Sequence, residues 1–336
     1  MIRLLFFLFI FIFLIDLLYG QPAVKENCDT AYIKDLSDKL SVRLYGVNKF
    51  NKFRIYNKDS DHSLYYSPNS NFNLGVGANY KWFGLGLAFN FPFVNNDDDI
   101  YGKTKRFDAQ TNIFTRRLVI DVYLQYYQGF YIENPDSYQN DWTEGNPYPQ
   151  RSDIITATIG GSCIYAFNYK KYSAKAAFVQ TELQKKSAGS FLLGGFFSLF
   201  GITGDSSLIP YELKEVYSPD LFFKHVSVTG TGVAFGYSHT FVMWKKLYLS
   251  FTLVPGIYVQ NYSVKYEDEQ EQETGTFISG RFLGRMALVY NSEKSYAGIT
   301  AINDSFSGNT GEGQKNRLNI EVGVVRIFYG RRFSIK

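Results

Sequence analysis

Beyond residue 20 the chain alternates apolar with polar or small side chains at a period of two, the pattern of strands with two unlike faces. The clearest stretch is 72–91. Phe72, Leu74, Val76, Ala78 and Tyr80 share one face, and Asn73, Gly75, Gly77, Asn79 and Lys81 share the other. After a reversal at Lys81-Trp82, Phe83, Leu85, Leu87, Phe89 and Phe91 oppose Gly84, Gly86, Ala88 and Asn90. The pattern predicts a hairpin with one apolar face. The same rule places Leu118, Ile120, Val122, Leu124 and Tyr126 opposite Val119, Asp121, Tyr123, Gln125 and Tyr127. It also places Ile278, Phe282, Met286 and Leu288 opposite Ser279, Arg281 and Arg285.

Extended along the chain, the alternation predicts strands at 41–56, 71–80, 83–93, 107–116, 117–130, 153–167, 172–184, 225–243, 246–262, 275–290, 295–306 and 316–330. Short reversals fall near Lys81-Trp82, Arg116-Arg117, Asn168 to Lys171, Trp244-Lys245 and Asn291 to Lys294. Long polar segments separate the other strand ends: Asn95 to Arg106, Glu133 to Ser152, Lys185 to Lys224, Tyr266 to Gly275 and Ser307 to Lys315. Short turns at one rim and long loops at the other describe an all-β, antiparallel transmembrane barrel of about 12 strands, with periplasmic turns and extracellular loops. The segment Lys185 to Lys224 is ambiguous. Its Phe191-Leu192-Leu193-Gly194-Gly195-Phe196-Phe197 core reads as a further hairpin, raising the count to about 14, or as a loop folded inward. The strand at 295–306 fits least well, because Asn303 and Asp304 put polar groups on both faces and that end has to emerge at the rim.

Composition agrees with strands. Aromatic residues make up 18% of the 336 residues, with 29 glycines, and aromatic enrichment suits the girdles of a membrane barrel. The net charge of +4 has no Lys/Arg stripe that would track phosphates, so nucleic acid is not an expected partner. Residues 1–20 read as a Sec-type signal peptide: Arg3, an apolar run from Leu4 to Ile15, and a cleavage region at Tyr19-Gly20-Gln21. Residues 21–40 then form a periplasmic N-terminal segment and 41–336 the barrel, placing the protein in the cell outer membrane. Cys28 and Cys163 form no CxxC or Cys/His cluster, so no metal site or cofactor is expected.

Candidate chemistry is sparse. Asp121, Tyr123, Gln125, Lys175, Arg281 and Arg285 are candidates for lining the lumen, either as ion pairs that fill it or as a selectivity lining. The acidic loop residues Asp97, Asp98 and Asp99, and Glu267, Asp268 and Glu269, are candidates for cation binding. The basic turns, with Arg116 and Arg117 among them, are expected to sit as solvated charges or against lipid phosphates. Gly75-Val76-Gly77 and Gly84-Leu85-Gly86 lie on strand faces rather than at a strand-to-helix turn, so they read as sites of close approach, not as phosphate loops. Of the three histidines, His225 follows Asp220 near the loop rim and supplies the one candidate hydrolase centre.

Leu64-Tyr65-Tyr66-Ser67-Pro68-Asn69-Ser70, running into Leu74-Gly75-Val76-Gly77-Ala78-Asn79-Tyr80, resembles an uncharacterised Bacteroidota family catalogued as domain of unknown function 4421. Arg117-Leu118 to Gln125-Tyr126-Tyr127 with Gly129-Phe130, and Gln184 to Ser190, are similar to further blocks of that family. The resemblance spans about Asp29 to the C-terminus and implies an outer-membrane barrel without a known activity. The end of the chain departs from a terminal-Phe barrel signal, since Phe333 is followed by Ser334, Ile335 and Lys336. The expected role is a pore or transport-type barrel of low conductance and not an enzyme. The alternatives are a structural or binding barrel working through its loops, and an outer-membrane hydrolase. Expected partners are outer-membrane lipid and, during biogenesis, the barrel assembly machinery; the substrate is unknown.

Overall fold

The computed structural model describes residues 28–335 except 58–61, 82, 92–95, 138–140, 214, 216, 218–220, 267–271 and 311–315. The expected signal peptide lies outside the described residues. The elements are β1 (Ile33–Asp35), β2 (Lys39–Asn57), β3 (Ser63–Ser67), β4 (Phe72–Tyr80), β5 (Phe83–Asn90), α1 (Asp98–Tyr101), β6 (Lys105–Phe114), β7 (Leu118–Ile132), β8 (Gln150–Ala166), α2 (Ala174–Phe178), β9 (Glu182–Gln184), β10 (Ala188–Thr203), β11 (Phe223–Met243), β12 (Leu247–Tyr266), β13 (Gln272–Asn291), β14 (Ser295–Thr310) and β15 (Asn316–Ser334). Alternation is obeyed in the burial. Val122, Leu124, Ile278, Phe282 and Met286 face outward and are exposed, while Asp121, Tyr123, Gln125, Arg281 and Arg285 face inward and are buried.

The hydrogen-bonded wall is a closed antiparallel ring of ten strands: β2, β15, β14, β13, β12, β11, β10, β8, β7, β3 and back to β2. The ring closes only in its upper half, through the five-residue β3, which pairs with β7 at Tyr66–Ile132 and Ser67–Tyr131. Below that level β4 takes the place of β3 beside β2, β5 pairs with β4, and β6 pairs with β7. Near the lower rim, where the short turns lie, the wall therefore numbers twelve strands, β2, β4–β8 and β10–β15. Among the described residues no ladder joins β5 to β6.

The branch point has a local cause. Pro68 has no N–H to give a ladder and interrupts the descending strand between β3 and β4. The Asn69 backbone N–H donates to Thr104 Oγ1 at 2.8 Å, and that hydroxyl donates to the Gly129 carbonyl at 2.8 Å. Gly129 has φ +93°, and a Cβ there would lie 2.4 Å from the Lys103 carbonyl oxygen, so only glycine fits. A register shift in β7 between Gln128 and Phe130 marks the level where its neighbour changes from β6 to β3.

Two segments depart from the sequence reading. The stretch 172–184 is not a wall strand; it forms α2 and β9, and β9 pairs with β1 in a separate two-stranded sheet. Ser173 caps α2, accepting from Ala176 N–H at 3.1 Å, and Ala176, Ala177 and Phe178 are all buried, a helical and not an alternating arrangement. The wall strand is instead β10, Ala188–Thr203, which the sequence left inside an ambiguous segment. The other departure is the 95–106 segment. It is not an outer-rim loop, because β5 ends opposite Asn73, part-way up the wall, and the connection to β6 packs at the branch point. Asp304 is also not at a rim: it points inward and is buried, and β14 continues to Thr310.

The interior is filled at three levels. At the top, the described residues of the segment after β10 fold into the mouth, with Leu208, Ile209, Leu213, Tyr217 and Leu221 buried against Phe53, Tyr66 and Phe130. Phe53 and Tyr66 stack at 4.6 Å, the Tyr66 hydroxyl donates to the Leu208 carbonyl, and Arg151 Nη1 donates to the Ser207 carbonyl at 3.0 Å. At mid-height lie buried ion pairs. At the bottom β1, α2 and β9 form a plug. Asn291 Nδ2 donates to the Ala176 and Glu182 carbonyls, both at 3.0 Å, and Arg332 donates to Asn291 Oδ1 at 2.8 Å and to the Gln180 carbonyl.

Candidate functional site

Each expected lumen residue has a specific place. Asp121 on β7 and Arg285 on β13 form an ion pair, and Asp121 also accepts from Ser162 Oγ at 2.9 Å and Asn112 Nδ2 at 2.6 Å. Arg281 pairs with a residue the sequence reading did not group with it: Nε and Nη2 each donate to Asp304 at 2.7 Å. Its guanidinium also lies 4.3 Å from the Phe196 ring centre. Gln125 bridges Asn51 and Asp108, at 3.1 and 2.9 Å, and Tyr123 is buried against Gly160. Lys175 is on α2 in the plug rather than on the wall, 3.8 Å from Glu182. Arg116 is not a free turn charge, since its guanidinium holds Glu182 of β9 at 2.6 and 2.8 Å.

Of the acidic candidates, Asp97 and Asp98 accept from Asn69 Nδ2 at 3.0 and 3.1 Å, and Asp98 and Asp99 open α1. Glu267, Asp268 and Glu269 lie outside the described residues. Among the described residues no group of three His, Cys, Asp or Glu is placed to hold a metal. His225 lies at the upper end of β11 in register with Lys265; Asp220 is outside the described residues. Cys28 and Cys163 are both free thiols.

A cavity of about 1650 Å³ lies in the lower half of the barrel, between the plug and the wall formed by β2, β4, β5 and β6. Its floor includes Phe178 and Glu182 of the plug. Its roof includes Asp108, which accepts from Tyr127 Oη at 2.5 Å and Lys49 Nζ at 3.2 Å. On its open side it touches Leu85 and Leu87 of β5 and Phe107 and Ile113 of β6, all side chains of the outward face. The cavity thus reaches the outer surface between the two unpaired edges. β6 sets the chemistry of one bank by alternation: Arg106, Asp108, Gln110 and Asn112 turn inward while Phe107 and Ile113 turn out.

The lining is basic. Nine lysine and arginine side chains meet only Asp35, Asp108 and Glu182. Four of the nine are matched by a carboxylate, Lys49 by Asp108, Arg116 and Lys175 by Glu182, and Lys34 by Glu293, while Arg106 and Lys185 donate to Asn73 Oδ1 and the Thr30 carbonyl. Arg43 of β2 and Arg326 of β15 are unmatched. Both lie beside Tyr45, with guanidinium carbons 5.6 and 5.7 Å from its ring centre. Neither has a hydrogen bond or ion pair among the described residues, and the Nε of each is shielded from solvent. Inward glycines make this crowding feasible: a Cβ on Gly75 would lie 2.5 Å from the Tyr45 ring, and one on Gly86 2.9 Å from its hydroxyl. Sequence reasoning missed the pair, yet the signal was the one that found Arg281. Arg326 stands between the outward-facing Val325 and Ile327.

No curated protein matches the chain in sequence. Among solved structures it is similar to the outer membrane protease OmpT from Escherichia coli, at 8% identity and a TM-score of 0.39, covering 89% of this chain and 98% of that one. It is also similar to a Pseudomonas aeruginosa FadL homologue, at 7% identity, TM-score 0.22 and coverage of 88% and 90%. A third is the Pseudomonas putida toluene transporter TodX, at 8% identity, TM-score 0.23 and 94% coverage of both chains. The sequence pattern of the family described as Domain of unknown function (DUF4421) matches residues 27–333, and the chain belongs to that family.

Proposed function

We propose that the protein is an outer-membrane transport-type barrel of low conductance, working through the side cavity and not through an axial channel. The membrane part of this reading rests on the outward faces. Leu44, Val76, Leu87, Ile257, Ile278 and Ile327 are each more than half exposed, and such an apolar belt needs lipid to cover it. The transport part rests on one observation: a cavity of about 1650 Å³ beside an unpaired strand edge. Along the axis, among the described residues, the mouth segment, the mid-height ion pairs and the plug fill the interior at three levels. An open β5–β6 edge is exceptional in a bilayer, where unpaired backbone groups cost several kcal/mol each unless a ligand, water or movement satisfies them. This reading assigns no catalytic step.

Planar-bilayer recording of the refolded protein tests it. Wild type carries a small conductance. Arg332→Ala combined with Asn291→Ala removes the hydrogen bonds that tie the plug to β13 and β15 and raises conductance several-fold, with heat-modifiable gel mobility showing that the barrel still folds. A large steady conductance in wild type would replace the side cavity with an axial pore. A sealed membrane for both proteins would dispose of transport.

A further inference from the structure

We propose that Arg43 and Arg326 form a binding site for the oxyanion head, phosphate or carboxylate, of a single-chain amphiphile whose tail leaves the barrel between β5 and β6. The starting point is an imbalance of charge. Two guanidinium groups flank one tyrosine ring inside the wall, with no carboxylate, carbonyl or hydroxyl bonded to either among the described residues. Both side chains are half-buried with their Nε atoms shielded; charges withdrawn from water are normally paired, and two like charges sharing one site raise the cost further. The neighbouring cations show the ordinary solution: Lys49 and Arg116 each have a carboxylate within 3.2 Å. The arginine pair instead faces the cavity, so the missing counter-charge is one that arrives from outside.

The shape of the cavity narrows the ligand class. Planar guanidinium groups bind phosphate and carboxylate oxygens through paired N–H donors, which suits an oxyanion over a halide or a neutral sugar. From the arginines the cavity runs past Gly86 and Ala88 to Leu85, Leu87, Phe107 and Ile113 at the two unpaired edges. A free anion needs only the polar end of this space. An amphiphile uses both ends, the head at Arg43 and Arg326 and the tail among side chains that already face lipid. Gly75 and Gly86 keep Tyr45 seated between the arginines, since a Cβ at either position would meet its ring or hydroxyl. The site uses the cavity on which the transport reading rests, but binding requires no passage across the membrane.

The test is binding of dodecyl phosphate to the refolded full-length mature chain in dodecylmaltoside micelles, read by phosphorus NMR, with inorganic phosphate and dodecyltrimethylammonium as comparison ligands. Saturable binding of one dodecyl phosphate per barrel is expected, with inorganic phosphate at least tenfold weaker and the cationic amphiphile not competing. Arg43→Gln and Arg326→Gln should each weaken binding at least tenfold, while Lys265→Gln at the loop rim leaves it unchanged. Because a neutral variant can fail for reasons of folding, Arg43→Lys with Arg326→Lys is measured beside it, and retained charge should retain part of the affinity. Equal affinity for inorganic and dodecyl phosphate would overturn the amphiphile. Unchanged binding in a folded Arg43→Gln, Arg326→Gln double variant would overturn the site. A barrel that binds dodecyl phosphate but seals the bilayer would refute transport and leave this assignment standing.

Discussion

Arg281 and Asp304 distinguish a filled lumen from a conducting one. In the structure they form a bidentate pair, 2.7 Å on both arms, with 4% and 6% of their surfaces exposed. The guanidinium is also held over Phe196 and Phe306, at 4.3 and 5.4 Å. Replacing Arg281 with Met leaves a buried carboxylate that has no other hydrogen-bond donor among the described residues, and removing one partner of such a pair costs about 3–5 kcal/mol. That is a fall of roughly 10²–10⁴ in the folded-to-unfolded ratio. Asp304→Leu alone should cost a comparable amount. The double variant Arg281→Met, Asp304→Leu replaces both charges with apolar groups beside two phenylalanines, and should fall within about 1 kcal/mol of wild type or above it. The coupling energy is then about 5 kcal/mol or more in magnitude. Equilibrium urea unfolding of the refolded barrel, followed by tryptophan fluorescence, measures all four corners of the cycle. If these charges lined a wet conduit, each single substitution would cost less than about 1 kcal/mol, as exposed pairs do. A folded Arg281→Met protein as stable as wild type would therefore refute the filled lumen.

Two further outcomes follow from local geometry. Gly129→Ala puts a Cβ 2.4 Å from the Lys103 carbonyl at a φ of +93°, and should destabilise the barrel by at least about 1–3 kcal/mol, visible as a lower unfolding midpoint; a neutral effect would mean the branch point is not held by this contact. Tyr217, in the mouth segment, has its phenol pushed up to about 12 from 10.0 by burial, so the neutral form favours closure and the contribution is complete below pH 10 and lost as pH rises towards 12. Hydrogen-exchange protection of residues 204–213, taken relative to the intrinsic base-catalysed rate, should fall across that interval in wild type, and Tyr217→Phe should abolish the fall.

What the sequence made legible was whatever faces two different solvents. In β4, β5, β7 and β13 one face is apolar and outward and the other carries small or polar groups, so alternation assigned both the strand and its inward residues. β10 was missed because it does not alternate in polarity: Phe191, Leu193 and Phe197 face out, while Leu192, Phe196 and Phe200 face an apolar core inside the barrel. The opposite error arose at 172–184. Tyr172, Ala174, Ala176 and Phe178 stand at every second position, yet Ala177 is buried too, and five helical residues are too few to distinguish the two periods. Pairing was less visible than facing. Arg281 was read as inward, but its partner Asp304 was placed at a rim, because nothing in a single strand tells which side chain of the neighbouring strand lies beside it.

The segments that carry the family resemblance are the ones that create the cavity. Ser67-Pro68-Asn69-Ser70 ends β3 and leads into β4, Gly129 shifts β7 from β6 to β3, and Gln184 fastens both ends of the plug, accepting from Ser173 N–H at 2.9 Å and donating to the Lys171 carbonyl at 2.6 Å and to the Lys186 carbonyl, just before β10, at 3.0 Å. The remaining block, Arg117 to Tyr127, is the wall strand whose inward residues hold Asp108 and Arg285. A barrel that served only to span the membrane would gain by continuing β4, β5 and β6 to full height and pairing β5 with β6, since a closed ladder removes edges. Here a proline, a glycine and an asparagine stop that continuation at one level, and a plug beneath keeps the space under it from being an open pore. The open edge is therefore built by specific residues, as the side cavity and its unmatched arginines require.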